Sequence, residues 1–183
     1  MELIKIKKKN FSNFFSGNSK FFFSNIYNKK DKNYIKIDLT KNLKIKKNTF
    51  DNLIIMNVLE HLPDLRLVFK ETNRILKDDG NLIGSTPFIY QVHGAPFDYL
   101  RFTKDFFYKT FSKKKYKSIT IKSLGFGPFT ASYSLIQTYL RFFPVIREII
   151  FIFCYFLDAL IQLFVNTKLE EIYPIGYFFI IKK

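Results

Sequence analysis

The sequence predicts an α/β domain, one sheet with helices on both faces, and three observations lead there. Residues 50–57 (FDNLIIMN) are an apolar run of strand length, the pattern of a parallel strand covered on both sides. Leu65, Val68, Phe69, Thr72, Ile75 and Leu76 then recur at helical spacing. Residues 81–85 return to a short strand that Thr86 and Pro87 close. Strand, helix and strand in that order imply a right-handed parallel crossover.

The remaining elements follow along the chain. Residues 1–33 show neither period; 11–23 is rich in Phe, Ser and Asn and holds only Gly17. From residue 34, YIKID runs as a short strand that enters a loop at Asp38. Asp64, after Pro63, suits the N-cap of the helix, because its carboxylate can accept from free N–H groups of the first turn. Gly80 is expected to end that helix as its C′ residue. A polar, aromatic loop covers 88–101, and Thr103 can cap a short helix through Phe111. Residues 117–124 (KSITIKSL) alternate as a strand, and Gly125 and Gly127-Pro128 break the chain. Residues 177–181 read as a closing strand after a long apolar stretch at 134–165.

Composition excludes more than it identifies. A length of 183 residues suits one domain with a real core. The net charge of +15 permits nucleic acid or an anionic membrane as partner. The lysines are spread along the chain, however, with clusters only at 7–9 and 113–115 and no nucleic-acid motif around them, so solvated faces are expected instead. Cys154 stands alone, which excludes a disulfide framework and a cysteine metal site and suits a reducing, cytoplasmic compartment. The basic N-terminus lacks the apolar run of a secretory signal. Residues 149–157 (IIFIFCYFL) carry no charge, but a span needs about 20 apolar residues and Asp158 interrupts the run. An apolar helical insertion at 134–165 is expected to cover the sheet or lid the site, with contact at a membrane surface as the second choice.

The block 50–88 (FDNLIIMNVLEHLPDLRLVFKETNRILKDDGNLIGSTPF) resembles the central segment of class I S-adenosylmethionine-dependent methyltransferases of type 11. Phe50-Asp51, Leu59-Glu60-His61, the run from Arg74 to Lys77 and Gly80 all stand in that family's register. HGAPFDYLRFT at 93–103 is similar to the loop after the fifth strand in a subgroup, and GYFFIIKK at 176–183 is similar to the last strand. The resemblance implies a Rossmann-like methyltransferase fold over 34–183, a mostly parallel sheet with helices on both faces. Residues 1–33 would be a degenerate or truncated N-terminal segment, lacking a clear first strand and the Gly-rich loop that lets backbone N–H groups approach the cofactor. Cofactor binding by this chain is accordingly expected to be weak.

The resemblance also implies S-adenosyl-L-methionine as cofactor and assigns residues to it. Asp38 would accept hydrogen bonds from the nucleoside, at the ribose hydroxyls or the adenine amino group, or else cap its own loop. Asn57 and Val58 would line the cofactor pocket, and His61 would face cofactor or substrate or serve as a hydrogen-bonded rim residue. Glu60 is expected to be exposed or locally paired. The loop offers Tyr90, Tyr99 and Arg101 to an acceptor as stacking faces and an anion fork, with His93 or Asp98 as general base. Asp98 and Arg101, three apart, could instead pair and lock the loop. Ligands of open α/β sheets bind at the carboxyl ends of strands, where all these residues fall. No metal spacing is recognised.

The expected function is methyl transfer to an O or N atom of a small-molecule or lipid- or sugar-linked acceptor. A non-catalytic methyltransferase-like protein or fragment acting as a binding module is the alternative, and a nucleic-acid acceptor comes third.

Overall fold

The computed structural model describes residues 23–25, 34–94, 97–111 and 116–183, and the chain divides into two units, 1–44 and 45–183. In the first, β1 (Phe23–Asn25) and β2 (Tyr34–Lys36) pair in parallel. Asp38 follows β2 in a turn of its own making. Its Oδ1 accepts from the Thr40 N–H at 3.0 Å and the Thr40 hydroxyl at 2.6 Å, and Lys41 Nζ lies 3.2 Å from Oδ2. The rest of the segment 1–33, and with it the expectation of an eroded N-terminus, falls outside the described residues.

The second unit holds a four-stranded sheet. β3 (Phe50–Met56), β4 (Leu76–Pro87), β5 (Ser118–Leu124) and β6 (Gly176–Lys182) stand in the order β3-β4-β6-β5. β3 and β4 are parallel, with Leu53 opposite Leu82 and Ile55 opposite Gly84. β6 runs antiparallel to both its neighbours, so the sheet is mixed. The reason is visible at the ends of β5 and β6, where Leu124 pairs with Gly176 and the Ile175 N–H donates to the Leu124 carbonyl at 2.8 Å. Residues 125–175 leave and re-enter the sheet at one end, so β6 has to return the way β5 came.

Helix α1 (Leu65–Ile75) makes the crossover from β3 to β4. Asp64 caps it as expected, its Oδ1 accepting from the Arg66 N–H at 2.9 Å. The helix stops at Ile75, short of the expected end at Gly80, and β4 begins at once. Asp79 takes the left-handed conformation (φ 68°), which an aspartate tolerates, and the register jumps from Phe50 opposite Leu76 to Asn52 opposite Asn81. Gly80 is therefore inside the strand. A Cβ there would lie 2.8 Å from the Asp51 carbonyl, so the glycine serves close backbone approach and not a helix end.

Packing on β6 fixes the next helix. Thr103 caps α2 (Lys104–Thr110) by accepting from the Phe106 N–H at 3.3 Å. Phe107 of α2 and the following Phe111 are buried against Phe179 of β6, with ring centroids 5.0 Å and 6.5 Å away. Each such ring contributes about 1.5–3 kcal/mol through burial.

The apolar insertion is a helix pair, α3 (Pro128–Ile136) and α4 (Pro144–Gln162), beginning six residues before the expected start at 134. α4 packs chiefly on α3 and does not cover the sheet as expected. Among its residues only Asp158 is buried. That carboxylate accepts from the Phe129 and Thr130 N–H groups, each at 2.9 Å, and from the Thr130 hydroxyl at 2.7 Å. It thus satisfies free donors of the first turn of α3 from another helix, and a Cβ at Gly127 would lie 2.6 Å from it. Ile149, Ile152, Phe153 and Phe156 form an exposed apolar flank. No helix among the described residues is long and apolar enough to cross a membrane.

Candidate active site

At the carboxyl end of β3 the backbone turns sharply. Asn57 adopts the left-handed conformation (φ 49°), with its N–H donated to the Ser85 carbonyl at 2.9 Å and its Oδ1 accepting from Ser85 Oγ at 2.8 Å. Asparagine is among the few residues that reach this conformation readily. The reversal leads into a single 3-10 turn, Leu59–His61, whose Leu59 and Glu60 are buried.

Glu60 was expected to be exposed or locally paired; it is fully buried, and among the described residues neither carboxylate oxygen has a hydrogen-bond donor. The loop 88–101 closes over it. The N–H groups of Tyr99 (2.8 Å) and Leu100 (3.3 Å) both donate to the Glu60 backbone carbonyl, which fastens the loop to the turn. Burial pushes the Glu60 carboxyl above its ordinary range, opposed by His61 and His93.

The loop is locked from inside. Arg101 grips Asp98 with both prongs of its guanidinium, Nη2 to Oδ2 at 2.7 Å and Nη1 to Oδ1. Arg101 also donates to the carbonyls of Leu100 (3.0 Å) and Gln91 (3.4 Å). The fork proposed for an anionic acceptor is thus filled by the loop's own oxygens. Arg101 holds the Asp98 carboxyl far below the usual carboxylate range, so Asp98 remains a charged acceptor. Its Oδ2 accepts from the His93 N–H at 3.0 Å and lies 3.3 Å from His93 Nδ1.

The two histidines meet here. His61 Nδ1 donates to the Phe97 carbonyl at 2.7 Å, and the rings contact edge to face with centroids 5.0 Å apart. Both Nε2 atoms face Glu60 Oε1, at 3.8 Å for His61 and 3.9 Å for His93. Tyr90 stands edge-on to His93 at 5.1 Å, and Tyr90 and Tyr99 expose much of their surface.

His93, Asp98, Arg101, Tyr90 and His61 thus form one cluster, with Tyr99 joined to it through its backbone. Asn57 and Val58 lie at the strand end. Asp38 belongs to the first unit, with its carboxylate engaged in its own turn. The residue that sequence reasoning missed is Glu60. A signal existed: the whole chain has only 2 histidines, and one is adjacent to Glu60.

Chemically, the strand end can serve a nucleoside-bearing cofactor. Asn57 is exposed and its Nδ2 makes no hydrogen bond among the described residues, while half-buried Val58 and exposed Met56 supply apolar surface. A shallow groove of about 430 Å³ opens elsewhere, lined by Thr130, Tyr133, Arg147 and Phe151; it contains none of the clustered residues.

Residues 21–84 match the family model described as a methyltransferase domain. A SAM-dependent methyltransferase from Archaeoglobus fulgidus has a similar fold, with a TM-score of 0.51 and 16% identity over 82% of this chain and 67% of that one. A Haemonchus contortus phosphoethanolamine N-methyltransferase gives 0.48 and 13%, over 82% of this chain and 37% of that one. A methyltransferase from Mesorhizobium loti gives 0.46 and 13%, over 82% and 68%. The chain therefore spans little more than a third of the nematode enzyme and about two thirds of the other two. No curated protein matches it in sequence.

Proposed function

Taking as premise that the chain carries a class I S-adenosylmethionine-dependent methyltransferase domain of the Rossmann-like fold, we propose that it transfers a methyl group to an O or N atom of a small-molecule acceptor. The supporting observation is the oriented histidine at the strand ends. Asp98 is pinned by Arg101 and receives the backbone N–H of His93, with Nδ1 of the same histidine in reach. A proton on Nδ1 leaves Nε2 as the basic nitrogen.

S-adenosylmethionine, when bound, supplies an electrophilic methyl group. The chain's residues divide the rest of the work. Asn57 and Val58 would hold the cofactor's nucleoside end. His93 Nε2 takes the proton of the acceptor's hydroxyl or ammonium group, and Asp98 stabilises the imidazolium without itself being protonated. Tyr90 and Tyr99 offer stacking faces to the acceptor, while Arg101 keeps the loop shaped. His61 stands on the acceptor side, because its ring faces Glu60 and His93.

The exposed flank of α4 favours a second element, docking at a lipid surface. Ile149 and Ile152 are 61% and 64% exposed on a chain of net charge +15, a pairing that suits an anionic interface and a lipid-linked acceptor. Equilibrium binding tests the central reading. S-adenosylhomocysteine should bind once per chain with a Kd weaker than about 1 μM, since a readable Gly-rich loop is missing and each absent hydrogen bond forfeits about 1 kcal/mol. Asn57→Ala should weaken it further and His93→Ala leave it unchanged. Absence of saturable binding at millimolar ligand would favour the non-catalytic binding module.

A further inference from the structure

Three acceptor atoms converge at the centre of the cluster with nothing positive between them. Glu60, His61 and His93 each offer one ligand atom within 4.8 Å of the others, both Nε2 atoms lie 3.8 and 3.9 Å from Glu60 Oε1, and the carboxylate is fully buried. Each imidazole has its other nitrogen at an oxygen, His61 Nδ1 on the Phe97 carbonyl and His93 Nδ1 beside Asp98. Those contacts place the ring protons on Nδ1 and turn both Nε2 lone pairs toward the Glu60 oxygen. Lone pairs facing one another in a buried site repel unless a cation lies among them. No hydrogen bond closes the gap, since the separations of 3.8 and 3.9 Å exceed the roughly 2.7–3.2 Å of one.

A metal ion does fit the space. Ligand atoms at about 2.0–2.2 Å from one zinc ion stand roughly 3.4 Å apart, against 3.8 and 3.9 Å here, so closure takes a small inward shift of the side chains. We propose that Glu60, His61 and His93 bind a divalent first-row transition metal, zinc foremost. Two imidazoles and one carboxylate select such ions over magnesium or calcium, which prefer all-oxygen shells. Phe97 O and Asp98 hold the ligating rings from behind, as outer partners of metal-bound histidines do. Three protein ligands leave a position open for water or acceptor, and His93, the more exposed of the two rings, borders solvent beside Tyr90. The inference rests on the methyl-transfer reading and replaces its proton step. With a cation on its Nε2, His93 would be a ligand and not the base, and the metal would supply the field under which an acceptor hydroxyl gives its proton to solvent.

The test needs neither cofactor nor acceptor, so its failure is separate from failure of the methyl-transfer reading. The full chain, without a histidine tag, is stripped with chelator and titrated with Co²⁺ by visible absorption, then with Zn²⁺ in competition. With only 2 histidines and 1 cysteine in the sequence, few other strong ligand sets exist to confuse the result. One Co²⁺ per chain is expected, with ligand-field bands that Zn²⁺ abolishes and millimolar Mg²⁺ does not. Glu60→Gln and His93→Ala should each weaken binding about 100-fold, and Asp98→Asn about 10-fold. Absence of saturable Co²⁺ binding, or binding unchanged in His93→Ala, overturns the site. His93 is partly exposed, so His93→Ala decides the matter if Glu60→Gln fails to fold.

Discussion

Two buried carboxylates in the second unit receive opposite treatment. Asp158, 2% exposed, accepts three hydrogen bonds from the start of α3, two of them from backbone N–H groups. Glu60, 0% exposed, accepts none at its side chain among the described residues and faces two histidine nitrogens instead. Burying a carboxylate costs several kcal/mol, so each site needs compensation. At Asp158 the fold supplies it, and the residue is explained by structure alone. At Glu60 the fold supplies no donor among the described residues, and the proposed metal ion is what would supply the compensation. Burial of charge is therefore informative only together with its list of partners.

Substitutions at the two sites can break this contrast. Asp158→Ala strips three donors of their acceptor and should cost about 2–4 kcal/mol, read as a lower urea midpoint at unchanged m-value. Glu60→Gln removes a desolvated charge and should change stability by less than about 1 kcal/mol while metal binding collapses. A large loss of stability in Glu60→Gln would mean that the carboxylate has a structural partner after all.

A finer probe is the acid limb of stability. Arg101 lowers the folded-state pKa of Asp98 below its unfolded value, which is about 3.9. The stabilisation is therefore complete above that unfolded value and is lost as pH falls toward the folded one. Asp98→Asn should flatten the decline in thermal midpoint below about pH 4, and it should reduce methyl transfer by loosening His93. The smallest effect is expected at the exposed pair of Lys104 with Glu171, 2.7 Å apart. Glu171→Gln should cost less than about 1 kcal/mol and touch neither metal binding nor activity.

The elements were legible where local chemistry decides them. Asp64 and Thr103 cap the helices that their positions predict, and β3, β5 and β6 stand within a residue of the expected runs. Gly80 misled because a left-handed residue was needed one position earlier, where Asp79 provides it. Long-range pairing was not legible. Nothing local in IIFIFCYFLDAL says that Asp158 serves a helix 28 residues upstream. The loop 88–101 was correctly read as a polar cluster, but the partners of Arg101 and the burial of Glu60 depend on how the loop folds back onto the turn after β3. Periodicity carries no information about such closure.

The position of β6 has a temporal consequence. The strand made last occupies an inner place in the sheet, between β4 and β5. During synthesis β4 has only β3 beside it and β5 has no neighbour in this sheet until residues 176–182 emerge. Ile83 and Ile121 must wait for Ile180 and Phe179, and Phe107 and Phe111 have no Phe179 to cover. The nascent domain thus carries open strand edges and bare aromatic rings until residues 176–182 emerge, the condition in which chains depend most on chaperones and aggregate most readily. A ribosome-stalled chain ending before residue 176 should be far more sensitive to protease than one extended past residue 183.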